Sequence, residues 1–329
     1  MLSTFQSSGD LVADRRAGYA RLLAEAGDAA AAAEVMAQAL ELAPGWAAGW
    51  SLLGDFRKAA GDPDGAVAAW RQLDRLDGAG IFGAALKLAA AGAGLAVEHT
   101  AEGYVAALFD AYARDFEAVL LQRLDYVVPE RLAGLVAAEM QRRGTERLGH
   151  AVDAGCGTGL MGERLRRHVS YLEGVDLSAG MVAAAAAKGI YDRVSQDELV
   201  GFLVRPGAPA DLVAAADVLV YCGALAPVFA GVAARLAPGG LFAFSCERHD
   251  GTEPMVVRES LRFAHEPGAA RAALAAAGLE VLAWEEGVLR SDRGRPVAGL
   301  FVLAARPQAL GHGVAAAPAG SAEDAPACN

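Results

Sequence analysis

The eight residues Val152-Asp153-Ala154-Gly155-Cys156-Gly157-Thr158-Gly159 constrain this chain more than any other stretch. They follow an apolar segment that reads as a strand and precede one that reads as a helix. Glycine at alternate positions there calls for unusual dihedrals and leaves bare backbone for a ligand to lie against. The dinucleotide-binding pattern G-x-G-x-x-G occupies the same kind of junction, but it requires glycine at position 160, where this chain has Leu160. A second anchor follows in Gly174-Val175-Asp176-Leu177-Ser178. Asp176 ends the next expected strand, 21 residues after Gly155, a spacing that suits one intervening helix. A carboxylate placed there can accept hydrogen bonds from both hydroxyls of a ribose.

From Leu148 onward strand and helix patterns alternate, which implies a parallel α/β sheet. Strands are expected at Leu148–Ala154, at Tyr171–Leu177, near Val194, at Leu212–Tyr221 and at Gly240–Cys246. Helices are expected through His168, over Ala179–Lys188 with Ser178 as its cap, and over Pro267–Ala277. Two final strand-like segments, Leu279–Glu285 and Val297–Ala305, flank Ser291-Asp292-Arg293-Gly294, which reads as a hairpin turn. An antiparallel hairpin closing an otherwise parallel sheet is unusual.

Ahead of this core, Gly27 recurs at Gly61, Ala32 at Ala66 and Leu42 at Leu76, each 34 residues later. Pro44 closes the first copy, and the second contains Trp50-x-x-Leu53-Gly54. The period and anchors match tetratricopeptide repeats, each a pair of antiparallel helices. Ala32 and Ala66 allow close helix approach, and Trp50, Leu53 and Trp70 are expected to fill the space between helices. Two copies need a cap from the following helix or the next domain. The expected organisation is a helical repeat module over 1–80, a linker or short helix over 81–103, an α/β domain over 104–307 and a tail over 308–329. From Gly311 that tail has too little apolar surface to offset its chain entropy, and disorder is expected.

Glycine loop, Asp176 and terminal hairpin together resemble the class I S-adenosylmethionine-dependent methyltransferases. That family has a seven-stranded Rossmann-like sheet with an antiparallel last strand. The resemblance covers residues 104–307. Within it, Phe109-Asp110-x-Tyr112-Ala113-x-x-Phe116, Gly189-Ile190-Tyr191-Asp192 and Ala216-Asp217-Val218-Leu219-Val220-Tyr221 are similar to predicted bacterial methyltransferases that also carry tetratricopeptide repeats. The resemblance implies S-adenosyl-L-methionine as the cofactor. It places Asp153, Gly155 and Gly157 at the methionine end, Asp176 on the ribose, and Cys156, Leu177 and Met181 along the cofactor. Asp197 and Glu198 compete for the adenine amino group, with Asp197 preferred. Ala216 and Asp217 then face the transferable methyl, and Tyr112 belongs to a lid.

Transfer from a sulfonium needs alignment and exclusion of water, and a general base only where the acceptor must lose a proton. Asp217, Tyr221, Glu247 and His265 are the candidates. Each also has an ordinary reading, as a strand-end acid, a core tyrosine, a solvated acid and a structural histidine. Cys156 has no histidine placed to activate it.

Bulk properties narrow the partners. A net charge of −11 with no dense Lys/Arg run argues against nucleic acid as the partner. No segment reads as membrane-spanning and no signal peptide is visible, so a cytoplasmic location is expected. Cys156, Cys222, Cys246 and Cys328 lack metal-ligand spacing, and no metal is expected. The acceptor is read as a small molecule or a protein, with the repeats available to a protein partner and the oligomeric state left open. Two other functions remain in play: a non-catalytic scaffold with a cofactor-stabilised domain, and a nucleotide-dependent oxidoreductase.

Overall fold

The computed structural model describes residues 7–94, 97–112, 126–292 and 294–308. The front of the chain forms two helical hairpins, α1 (Leu11–Glu25) with α2 (Ala29–Leu42) and α3 (Ala47–Ala59) with α4 (Pro63–Leu76). The 34-residue period has a local cause at each hairpin turn. Gly27 and Gly61 adopt φ of 90° and 79°. Asp28 and Asp62 directly follow them, and their carboxylates cap α2 and α4 through the amides of Ala31 and Gly65. Ala32 and Ala66 are fully buried between the helices, as their small size requires.

One tryptophan departs from expectation. Trp50 is only half-buried, with its indole N–H donating to the Pro44 carbonyl at 2.8 Å, whereas Trp46 and Trp70 fill the interior. Gly54 is required by that packing: a Cβ there would lie 2.1 Å from Trp70 Nε1. The segment after the hairpins supplies a cap. Its short helix α5 (Ala84–Ala90) and Phe82 join the same apolar cluster, and the buried Lys87 ammonium donates to Asp55 at 2.6 Å and to Ser51 Oγ at 2.9 Å. Helix α6 (Glu102–Tyr112) follows. Residues 113–125, including Phe116, and residues 309–329 of the expected tail lie outside the described residues.

The second half is built on one mixed sheet. Its strands are β1 (Leu148–Ala154), β2 (Val169–Asp176), β3 (Arg193–Gln196), β4 (Ala210–Ala215), β5 (Leu236–Arg248), β6 (Met255–Val257), β7 (Phe263–His265), β8 (Glu280–Asp292) and β9 (Arg295–Ala305). The main order is β3-β2-β1-β4-β5-β9-β8, parallel from β3 to β5, with β9 antiparallel to both its neighbours. This is the expected seven-stranded Rossmann-like sheet with its antiparallel last strand.

Helices cover both faces. On one side, α7 (Val128–Arg143) and α8 (Leu160–Leu165) pack Leu132, Val136 and Leu165 against Leu212 and Phe301. On the other, α10 (Leu199–Val204), α11 (Leu225–Arg235) and α12 (Pro267–Ala276) pack Phe202, Phe229 and Leu274 against Val213, Phe242 and Phe244. Helix α9 (Ala179–Ala187) starts at Ser178, whose hydroxyl accepts from the Met181 amide at 3.1 Å. Both faces of the central strands are therefore dry, which explains their continuous apolar runs. No described helix is long and apolar enough to cross a membrane.

Two details differ from expectation, and both shape the site. The fourth strand stops at Ala215 instead of running to Tyr221. Asp217 turns out of the sheet with φ of 60°, its amide donating to Ser245 Oγ at 2.9 Å, and a 3-10 turn follows over Leu219–Tyr221. The second difference is the hairpin β6–β7, additional to the seven strands. The β4–β5 ladder ends at Ala215–Phe244, and three and four residues on, at Glu247 and Arg248, β7 pairs with β5. The hairpin thus stands beyond the carboxyl end of β4, above the point where Asp217 leaves the sheet.

Candidate functional site

A cavity of about 610 Å³ opens at the carboxyl ends of β1, β2 and β4, where open α/β sheets bind their ligands. Its floor is the glycine turn. Gly155, Gly157 and Gly159 have φ of 69°, 53° and 98°, a run that L-residues rarely sustain. The amides of Gly155 and Cys156 both donate to the Val175 carbonyl, at 2.8 and 2.9 Å, which fastens the loop to β2. A Cβ on Gly155 would lie 2.5 Å from Val218 Cγ2, so bare backbone is needed there for close packing as well as for φ.

Asp176 closes the arrangement. One carboxylate oxygen accepts from the Gly157 amide at 2.8 Å, the other from the Ser178 amide at 2.9 Å. Burial pushes its carboxyl up, and the amides of Ser178 and Gly157 oppose that. Four lone-pair sites with two bonds made leave room for further donors from the cavity.

The expected residues divide into two groups. Gly155, Cys156, Gly157, Asp176, Leu177, Asp197, Ala216, Asp217 and Tyr221 all line the cavity, and so does Glu198. Glu198 uses both carboxylate oxygens to cap α10 through Val200 and Gly201, and Asp197 pairs with the exposed Arg205 at 2.7 Å. The Cys156 thiol is raised by burial and stays a thiol.

Asp153, Met181 and His265 do not reach the cavity. Met181 is fully buried in α9. His265, expected just before a helix, sits in β7 with its Nε2 against the carbonyls of Cys222 and Gly223 at 3.0 and 3.1 Å. Burial lowers its basicity, and its ring ties the hairpin to the turn after β4. Tyr112 ends α6, and its side chain lies outside the described residues.

Asp153 lies beneath the loop. It accepts from the Tyr191 hydroxyl at 2.6 Å, while its second oxygen has no partner among the described residues. Burial is the main cause that pushes its carboxyl up to about 7. The folded state then holds a proton that the unfolded chain releases near 3.8, so this group's contribution falls as pH rises from about 4 through 7. Asp153→Asn is expected to remove that dependence. At pH 8 the variant gains about 1–2 kcal/mol, less than the full shift because one amide group stays unpartnered. Urea unfolding at pH 5 and pH 8 tests this: a variant less stable than the parent at pH 8 contradicts a strained carboxylate.

Several site residues had no role assigned from the sequence, although Phe109, Asp110 and Tyr191 stand in the motifs that carry the resemblance. Tyr191 is a prop: its ring fills the space beside Gly159, Gly162 and Gly174, and a Cβ on Gly162 would meet its oxygen at 2.2 Å. Asp110 on α6 accepts from the Ser178 hydroxyl and from the Gly180 amide, joining α6 to the start of α9. Arg290 on β8 is almost fully buried. Its guanidinium donates to both oxygens of Asp217, at 2.6 and 2.8 Å, and to Glu247. Burial pushes the Glu247 carboxyl up, and Arg290 opposes that most. Arg262, in the hairpin turn, donates through Nε to Tyr221 Oη at 3.3 Å and lines the cavity. Phe109 meets the Tyr221 ring edge-on at 5.3 Å.

Comparison with known proteins bears on both halves. Residues 152–242 match a family model described as a methyltransferase domain. A TPR repeat-containing protein of Pseudomonas aeruginosa is 47% identical over 57 residues, 17% of this chain. The chain spans about half the length of that relative, 54%. Among solved structures, an S-adenosylmethionine-dependent methyltransferase of Clostridium acetobutylicum is similar at 15% identity and TM-score 0.46, over 61% of this chain and 99% of that one. Another from Mesorhizobium loti shows 25% identity and TM-score 0.41, over 51% and 96%. The N-methyltransferase NodS of Bradyrhizobium japonicum shows 18% and 0.43, over 54% and 87%. The glycine turn, Asp176 and the match to the methyltransferase-domain model all fall within residues 152–242, from β1 into β5.

Proposed function

We propose that the protein binds S-adenosyl-L-methionine in this cavity and transfers its methyl group to a small acceptor seated between Asp217 and Tyr221. One observation carries the reading: the bare backbone of Gly155 and Gly157 and the Asp176 carboxylate face one cavity, and the Gly157 amide donates to that carboxylate. The residues fit the cofactor. Close backbone suits its amino-acid end, the carboxylate has acceptor capacity left for ribose hydroxyls, and Asp197 stands at the third strand for the adenine amino group.

When bound, the cofactor supplies an activated methyl on a cationic sulfur. The chain's own residues supply position. Asp217 is held by Arg290 through both carboxylate oxygens, so it acts as a fixed wall of the site. Tyr221 accepts from Arg262 and keeps its own hydroxyl proton to orient an acceptor. Phe109 and Val105 of α6 contribute apolar lining, which excludes water from the transfer. Alignment is therefore the main catalytic contribution.

The division into a repeat module and a transferase domain belongs to the same reading, with the helical hairpins recruiting a protein partner. A reducing compartment such as the cytoplasm fits the free Cys156, Cys222 and Cys246. The test is calorimetry with S-adenosylhomocysteine, followed by transfer of labelled methyl into a small-molecule extract. Micromolar binding and label in a low-mass product are expected. Absence of binding by both donor and product overturns the assignment.

A further inference from the structure

We infer that the acceptor is a small organic acid whose carboxylate is held by Arg262, with its apolar body lying along Phe109, Tyr126 and Pro129. The inference rests on the methyltransferase reading for the word acceptor, and on the following geometry for the acid.

Three guanidiniums gather at the end of the cavity beneath the β6–β7 hairpin, those of Arg258, Arg262 and Arg290, around two carboxylates, Asp217 and Glu247. Arg290 takes both carboxylates, and Arg258 lies 3.3 Å from Glu247. Among the described residues Arg262 has no carboxylate within ion-pairing distance, and its one hydrogen bond is the 3.3 Å contact to the Tyr221 oxygen. It is nonetheless half-buried and lines the cavity. Asp217 and Glu247 favour its charge without bonding to it, and its guanidinium lies 5.9 Å from the Tyr221 ring centre, so its planar fork is left to match a carboxylate in bidentate fashion.

The rest of the setting points the same way. The whole chain carries −11, so a local surplus of positive charge runs against the background. Of the other acids lining the cavity, Asp176, Asp197 and Glu198 lie at the ends of β2 and β3, and Glu102 is exposed at the start of α6. The walls beside Arg262 are aromatic and aliphatic, which suits an apolar body and offers little to a polar or polyanionic one. The β6–β7 hairpin positions this group at the cavity. It is additional to the seven-stranded sheet, β7 replaces β4 beside β5, and His265 fixes it to the backbone of Cys222 and Gly223. Leu261, next to Arg262, adopts φ of 60°, an unusual conformation for leucine that the tight turn enforces.

The experiment titrates 4-hydroxybenzoate, cinnamate and their primary amides into the full chain, with and without saturating S-adenosylhomocysteine. Each acid is expected to bind at least about tenfold more tightly than its amide, as loss of a charge-assisted hydrogen bond predicts. Arg262→Gln should erase that ratio and Arg262→Lys should keep part of it, with thermal melting confirming that both variants fold. Equal binding of acid and amide, no binding of either acid, or a ratio that survives in Arg262→Gln overturns the inference. So does a loss of S-adenosylhomocysteine affinity in Arg262→Gln without any acid preference, which gives the guanidinium to the donor's own carboxylate. Failure of the parent chain to bind S-adenosylhomocysteine sinks the methyltransferase reading instead, and the donor-free titration still reports on Arg262.

Discussion

Asp176→Ala is expected to weaken S-adenosylhomocysteine binding on the order of a hundredfold. The carboxylate does two things at once. In the proposed reading it is the acceptor offered to the ribose, and it holds the Gly157 amide at 2.8 Å and the Ser178 amide at 2.9 Å. Alanine removes the direct contact and releases the glycine turn from its neighbour. Hydrogen bonds to a charged group are worth about 1.5–3 kcal/mol each, and losing the ribose pair alone reaches about 3 kcal/mol. Tenfold in affinity is about 1.4 kcal/mol, which gives the expected loss. Asp176→Asn separates the two roles. The amide keeps one acceptor for a backbone N–H but offers the ribose a weaker, half-donating partner, so an intermediate loss is expected. Isothermal calorimetry on both variants decides the matter; unchanged affinity in the alanine variant removes Asp176 from the ribose.

What could be read from the sequence was whatever acts over a short stretch of chain. The glycines at 155, 157 and 159 are unusual in their own dihedrals, so they announce the turn without help from elsewhere. Asp176 lies one strand further on, and the β8–β9 hairpin is closed by its own turn residues. The front repeat was legible because each hairpin encodes its own turn through a glycine and an aspartate cap, at Gly27-Asp28 and Gly61-Asp62. Trp50 was expected inside, but Trp46 lies there instead, beside Gly49 and Leu40 of α2, a choice that periodicity does not make.

Asp217 shows why the rest was hidden. Its apolar neighbours read as a strand, yet its backbone is set by Ser245, 28 residues away, and its carboxylate by Arg290, 73 residues away. No local pattern carries that information. Strands β6 and β7 have three residues each, too short for an alternation to register, so Arg262 drew no reading and His265, a candidate base or structural histidine, was not placed in a strand. A buried serine in an otherwise apolar β5 was the one available hint, because a hydroxyl at full burial needs a partner.

Arg290→Met is expected to lower the unfolding free energy by about 3–5 kcal/mol at pH 8, the usual cost of removing one partner from a buried ion pair. Only 1% of Arg290 is exposed and only 1% of Glu247, so neither water nor a surface cation can take over. For a chain of this size that corresponds to a melting temperature lower by about 10 °C. The loss should depend on pH with a fixed sign. Burial already raises the Glu247 carboxyl, and without Arg290 it rises further. A group raised on folding contributes its stability below its unfolded value and loses it as pH rises through its folded value. The variant should therefore recover part of its stability between pH 8 and pH 5, while the parent changes less over the same window. A triple variant isolates the cause: adding Asp217→Asn and Glu247→Gln to Arg290→Met removes both orphaned charges and should restore about half of the loss, since uncharged replacements of a buried ion network are often tolerated. Urea melts of the parent, single and triple variants at both pH values provide the measurement. A loss below about 1 kcal/mol, or one equal at pH 5 and pH 8, would mean that the guanidinium is not neutralising these carboxylates, and the fixed orientation of Asp217 would lose its physical basis.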